Sequence, residues 1–224
     1  MRGFLILFFI LVATLALSAQ RKQIRAKPEI TSSDLKGWYL KVNPISLLDP
    51  ITPTFQFGIE NRVSQKIGVE TSMGPAVKYQ KDLKNTDSTF SKYYKLKAEL
   101  KFYHAKNLLR YFSIESFYTH YKRSRFYQPF IRDGIEYQAE FAVINKSIPG
   151  VTIKYGILQT SRKTKKVNGE VSMGLGMRLR NTKIHDINSV DISGHFHEWI
   201  VWHEEEGIHL TPHFVLTIKL QFKL

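Results

Sequence analysis

The last eleven residues alternate one by one between an apolar and a mostly polar set, with Val215 the one apolar member of the second. Phe214, Leu216, Ile218, Leu220, Phe222 and Leu224 interleave with Val215, Thr217, Lys219, Gln221 and Lys223. Successive side chains of a strand point to opposite faces, so this segment has one greasy face and one charged face. The same period recurs upstream. Tyr94, Leu96, Ala98, Leu100 and Phe102 alternate with Lys95, Lys97, Glu99, Lys101 and Tyr103. Val171, Met173, Leu175, Met177 and Leu179 alternate with Glu170, Ser172, Gly174, Gly176 and Arg178. Segments 54–63 and 66–73 repeat the pattern, with Glu60, Arg62 and Glu70 on the polar side. A helix needs a period of 3.6, which none of these segments has. The chain reads as all-β.

The periodicity predicts strands over 38–46, 53–63, 66–77, 93–104, 109–122, 149–161, 168–181 and 210–224. That makes eight, with ten as the alternative count. Residues 135–146 read as a hairpin within a loop. Connectors are short at Ser64-Gln65, at Ala105 to Leu108 and at Arg162 to Val167, and long at 78–92, 123–148 and 182–209. Short turns alternating with long loops are the connectivity of an antiparallel up-and-down transmembrane β-barrel.

The N-terminus bears on location. Met1-Arg2, an apolar run from Phe4 to Leu17 broken only by Thr14, and Ser18-Ala19-Gln20 match a cleaved signal peptide over 1–19. The run is short for a spanning helix, the other reading of it. Residues 20–36, with Arg21, Lys22, Arg25, Lys27 and Pro28, read as a flexible basic periplasmic leader. The domain proper is 37–224. The formal charge of +14 would suit nucleic acid in a cytoplasmic protein. An exported chain meets anionic lipid instead, so no nucleic-acid partner is expected. With no cysteine, disulfide scaffolds, thiolate metal sites, cysteine nucleophiles and lipidation through an N-terminal cysteine are all excluded.

A soluble sheet also has two unlike faces, so an exported β-sandwich or a lipocalin-like ligand carrier competes with the membrane reading. Three features favour the membrane. The polar faces carry both signs: Glu60, Glu70, Glu99, Glu115 and Glu170 against Lys97, Lys101, Lys154, Arg178 and Lys219. Eight strands enclose room for little beyond side chains, so these residues are expected as structural ion pairs in the lumen. Aromatic residues cluster near strand ends, among them Trp38, Tyr39, Tyr94, Phe102, Tyr103, Tyr111, Phe112 and Tyr118; such rings build interfacial girdles. The final strand keeps its apolar face to Leu224.

Together with the signal ending in Ser18-Ala19-Gln20, the terminal strand and the glycine-rich segments Ile67 to Gly74 and Val171 to Met177 resemble the small eight-stranded outer-membrane barrels of Gram-negative bacteria. The nearest likeness is to uncharacterised Bacteroidota-type barrels of OmpA/OmpX-like architecture. The resemblance covers 37–224 and rests on pattern, without a diagnostic motif. It implies an outer-membrane location, a monomer, and insertion by the barrel-assembly machinery, which reads a terminal aromatic residue. This chain departs there, with Leu224 last and Phe222 two before it.

Candidate chemistry is sparse. His195, His197, His203 and His209, with Glu198, Glu204, Glu205 and Glu206, form the one metal-like cluster; a solvated loop, or a hairpin extending the seventh and eighth strands, explains them better, and no metal or cofactor is assigned. Some small barrels deacylate lipid A with Ser, His and an acid. Here His120 stands near Ser116, Ser124 and Glu115, but Ser116 and His120 lie about 13 Å apart along a strand. No catalytic residue is assigned. Lys78, Lys81, Lys84, Lys92, Lys122, Arg123 and Arg125 sit at strand tops or in outer loops, where they would contact lipopolysaccharide phosphates. The expected role is structural, or ligand contact through the outer loops.

Overall fold

The computed structural model describes residues 36–44, 54–75, 91–104, 107–160, 167–192 and 204–224. The segment expected as a signal peptide, 1–19, and the expected leader as far as residue 35 lie outside the described residues. Among the described residues nine strands form one sheet: β1 (Gly37–Asn43), β2 (Gln56–Arg62), β3 (Ile67–Pro75), β4 (Ser91–His104), β5 (Asn107–Arg132), β6 (Ile135–Thr160), β7 (Val167–Asp191), β8 (Glu204–Glu205) and β9 (Gly207–Lys223). No helix among them is long and apolar enough to cross a membrane.

Neighbours run β4-β3-β2-β1-β9-β7-β6-β5, and β4 also pairs with β5, so the sheet closes in a ring. Every pairing is antiparallel except that of the two-residue β8, which lies parallel to β5 at Phe130 and Ile131. Closure comes from the ends of the chain: Tyr39 of β1 stands opposite Lys223 of β9. The ring is staggered. A row of partners starting at Tyr39 runs through Glu60, Glu70, Glu99, Glu115, Thr152, Gly176 and His213. Tyr39 itself stands opposite Lys223 of β9, so the row returns to β9 ten residues away from Lys223, at His213. Rows therefore spiral, and residues distant along a strand meet inside the ring.

Two segments expected as loops are strand. β5 and β6 run as one long hairpin through 123–148, turning at Asp133 and Gly134, whose φ angles of 52° and 78° are those of a tight primed turn. Phe126 opposite Phe141 and Phe130 opposite Tyr137 hold the extension in register. β7 continues alongside to Asp191, opposite Tyr137, and β9 starts at Gly207, opposite Thr182. The expected outer loop 123–148, and the described parts of 182–209, are thus largely a sheet that outruns the ring, because cross-strand aromatic and aliphatic pairs continue past its rim. This extension has its own small core of Phe130, Ala139, Ala142, Ile144 and Ile184, with Tyr137 packed against it.

Candidate functional site: an ion-paired interior

Alternation decides which side chains enter the ring. On β4, Lys97, Glu99, Lys101 and Tyr103 are buried, while Leu96, Leu100 and Phe102 are exposed. On β7, Glu170 and Ser172 are buried and Val171, Met173 and Leu175 exposed. The ring is polar inside and apolar outside.

Glu60, Glu70, Glu99 and Glu115 stand directly opposite one another on four adjacent strands, β2 to β5. Such a row of like charges repels itself unless cations intervene. They arrive from all round the ring. Lys101, two residues below Glu99, reaches Glu60 at 3.1 Å and both Glu70 and Glu170 at 2.7 Å. Lys41 of β1 pairs with Glu60, Glu70 and Glu170. Lys219 of β9 reaches Glu70 at 2.6 Å and Glu99 at 3.1 Å. Lys154 of β6 holds Glu99 and Glu115 at 2.7 Å each. Lys97 completes the chain, 3.6 Å from Glu115.

The lower end is closed by aromatic residues. Arg62 donates to Glu60 at 2.9 Å and lies over the rings of Tyr39 and Tyr103. The Tyr103 hydroxyl donates to Glu60, and that of Tyr111 to Glu170, both at 2.6 Å. The Ser113 hydroxyl donates to Glu99 at 2.6 Å. Tyr111 fits because its cross-strand partner is Gly156, and Phe117 because its partner is Gly150. A Cβ on either glycine would run into the ring above it.

Nine of the ten residues expected as lumen ion pairs meet in this network. Among the described residues Arg178 takes no part in an ion pair; it sits above the network, and its Nε donates to the Thr211 hydroxyl at 3.1 Å. Lys41 and Arg62 belong to the network and were not expected there. Their signal is the alternation of Tyr39, Lys41 and Asn43, and the place of Arg62 two residues from Glu60. Tyr39, Tyr103 and Tyr111 are interior, not girdle, since they share the parity of the charged residues.

The other expected residues scatter. Lys122 is exposed on the outside, above Tyr118 and His120, whereas Arg123 is half-buried on the interior side. Lys78, Lys81 and Lys84 lie outside the described residues, as do the side chains of Lys92 and Arg125. So do His195, His197 and His203; His209 is half-buried, with Nδ1 3.6 Å from Glu205. Glu115 points inward and Ser116 outward, so the acid is separated from the serine by the sheet itself. His120 stacks on Tyr94 at 5.2 Å between ring centroids. Carboxylate oxygens of Glu60, Glu70 and Glu170 lie within 4.8 Å of one another, a spacing that suits a cation, but the ammonium groups of Lys41 and Lys101 already supply that charge.

The extension is pinned by Arg132, whose guanidinium donates to Glu206 at 2.5 Å, to Asp186 at 2.7 Å and to the Ile184 carbonyl at 3.2 Å. Hydrogen bonds to Glu206 and Asp186 raise the Arg132 pKa further above its ordinary value. Burial works against charge on Asp186, yet hydrogen bonds from Arg132 and Ser189 hold its carboxyl below the usual aspartate range. Compared with protein-family models, curated proteins and solved structures, the chain matches none.

Proposed function

We propose that the chain is an exported, monomeric, eight-stranded up-and-down β-barrel of an outer membrane. In this reading its interior is a structural plug of ion pairs, and its β5–β6–β7 extension is a rigid platform for contacts outside the cell. One observation carries the proposal: the ring buries its charges and exposes its apolar residues. Leu175 is 71% exposed and Ile153 63%, while Glu60 and Lys101 are each 0%. A water-soluble ligand carrier has the opposite partition. Lipid, as the outer solvent, turns the exposed apolar face from a liability into a stabilising surface.

Dimensions agree. A stagger of ten residues over eight strands gives a tilt of about 40°. Outward side chains are apolar from Val171 to Leu179 and from Ile208 to Leu220, about 26 and 40 Å of strand. Tilted, these are about 20 and 30 Å tall, on either side of the ~25 Å apolar band of membrane barrels. Aromatic residues mark both edges, with Phe112 against Tyr155 below and Tyr94 against Tyr118 above. Lys122 and Lys183 stand exposed just above the upper edge, placed for lipopolysaccharide phosphates. Export through 1–19 and insertion by the barrel-assembly machinery complete the reading.

Expression of the full chain in a Gram-negative host, followed by fractionation and gel mobility with and without boiling, tests it. The expected result is recovery with the outer membrane and slower migration after boiling. Recovery as a soluble periplasmic protein without a mobility shift would overturn it.

A further inference from the structure

Resting on the membrane reading above, we infer that one outer flank of the ring, on β5, β6 and β7, is a discrete site for a single phosphorylated glycolipid. Its phosphate is clasped between Lys122 and Lys183, and its sugar lies on the row of side chains beneath them.

The outer face of this flank carries one sign of charge. Among the described residues no outward position is acidic from Arg110 to Phe126 on β5, from Phe141 to Ile157 on β6 or from Val171 to Ile187 on β7. The acids nearest to it are engaged elsewhere: Glu204 with Lys146, Glu205 facing Arg180 at 3.9 Å, Asp186 with Arg132 and Glu140 with Asn188. Lys122 and Lys183 are exposed and enter no ion pair among the described residues. They belong to one register row, Lys122 opposite Asn145 and Asn145 opposite Lys183. Two strand spacings separate them, about 10 Å, a gap that two flexible four-carbon stems close on one phosphate. Lys92 occupies the next position of the row, on β4.

Beneath the lysines the flank turns from apolar to hydrogen-bonding. His120, Ser147 and Asn181 stand opposite one another in the row two residues lower, and all three are half-buried. His120 stacks on Tyr94 at 5.2 Å, and the Ser147 hydroxyl donates to that of Tyr118 at 2.9 Å. Flat rings thus lie beside hydroxyl and amide groups, the surface a sugar uses. Lower still, Val151, Met177 and Leu179 are exposed. From the membrane upward the flank offers apolar side chains, then rings with hydroxyl and amide groups, then ammonium groups. A glycolipid presents its acyl chains, sugar and phosphate in the same order, and the ammonium–phosphate contacts are the strong, charge-assisted kind.

The arrangement belongs to this flank. At the register position beside Asn181, β9 carries Ile208, 65% exposed. β4 begins at Ser91, opposite Arg123, and β9 at Gly207, opposite Thr182, whereas β5, β6 and β7 continue above the lysines. Their extension gives a headgroup a wall to lie against. A scatter of rim lysines attracts anionic lipid in bulk; a lysine row on a wall, with half-buried hydrogen-bonding groups below it, holds one molecule.

Native mass spectrometry of the full chain in a maltoside detergent, titrated with diphosphoryl lipid A, tests this. Wild type should take up one lipid per chain saturably, and should bind phosphatidylethanolamine or soluble glucose 1-phosphate more weakly by about tenfold or more. Lys122→Gln with Lys183→Gln should weaken lipid A binding about tenfold or more. Ser147→Ala with Asn181→Leu, which leaves the charge alone, is the second variant and should weaken it in the same direction. Arg110→Gln, on the same strand and face at the opposite rim, should leave it unchanged. No discrete complex with wild type overturns the site. So does binding that survives both flank variants, falls equally in Arg110→Gln, or is matched by glucose 1-phosphate. Gel mobility of the same samples with and without boiling separates this from the membrane reading. A chain that shifts on boiling yet forms no complex overturns the site alone, and one recovered as a soluble periplasmic protein overturns both.

Discussion

Lys219 of β9 and Glu99 of β4 join opposite walls of the ring through a 3.1 Å ion pair, and the same ammonium reaches Glu70, the register neighbour of Glu99, at 2.6 Å. A side chain that spans the interior in this way blocks it. It also keeps two buried carboxylates on adjacent strands from facing each other uncompensated. Replacing Lys219 with Met should destabilise the protein by about 3–5 kcal/mol, the usual consequence of stranding buried charge. Adding Glu99→Gln should recover part of that loss. Urea titration of wild type, both single variants and the double variant measures the coupling, expected at about 1–3 kcal/mol. Independent, additive effects would show that the two walls are not joined energetically.

Leu175 and Val190 are comparably exposed on the same strand, at 71% and 64%, but they sit at different heights. Leu175 is midway between Val171 and Leu179, and Val190 is near the tip of the extension. Leu175→Arg should lower stability in lipid vesicles by about 2–4 kcal/mol, as arginine does at the midplane of a membrane barrel. Val190→Arg, in water, should change it by no more than about 0.5 kcal/mol. Equal effects at the two positions would remove the support that the apolar face gives to the membrane reading.

Gly156 lies beneath the Tyr111 ring, which its own partner strand places there. Gly156→Ala forces that ring to move and the Tyr111–Glu170 hydrogen bond with it; overpacking of this kind costs about 1–3 kcal/mol. Gly169, where a new Cβ would meet nothing closer than 3.9 Å, provides the contrast. Gly169→Ala should be neutral within about 0.5 kcal/mol. Thermal unfolding of the two variants side by side decides whether space or glycine itself matters.

The strands of the ring and the parity of their charges were legible because period two survives in almost every segment. Glu60, Glu70, Glu99, Glu115 and Glu170 could be assigned to one face without knowing any neighbour. Which base meets which acid was not legible. Lys41 reaches Glu170 across β9, where its register partner Gln221 stands opposite Asn168, two residues from Glu170, and Arg178 misses the network because the stagger lifts it above the glutamate row. The extension was misread for a local reason. Asp133-Gly134 between Phe130-Ile131-Arg132 and Ile135-Glu136-Tyr137 is a strong hairpin signal, but in the sequence 135–146 reads as a short hairpin piece inside a loop and not as the tip of two long strands. No periodicity could have placed Arg132 between Asp186 and Glu206, which are brought to it by β7 and by the chain just before β9.

That same arginine gives the extension a pH dependence. The folded pKa of Asp186 is held below the ordinary aspartate value by the hydrogen bonds from Arg132 and Ser189, which outweigh burial. The contribution is therefore fully present above the unfolded aspartate value of about 4 and is lost as pH falls through the lower folded value. Amide hydrogen exchange over 124–132, 135–142 and 184–191 should stay slow from neutral pH to about pH 5, once corrected for intrinsic rates, and show reduced protection towards pH 3. Asp186→Asn should make protection in these segments lower at neutral pH and flatter with acidification. The amides of β5 and β6 between Arg110 and Phe117, and their partners, should respond less than the extension at the same pH, because they belong to the ring. Unchanged protection of the extension in Asp186→Asn would show that Arg132 is anchored by Glu206 and the Ile184 carbonyl without help from Asp186.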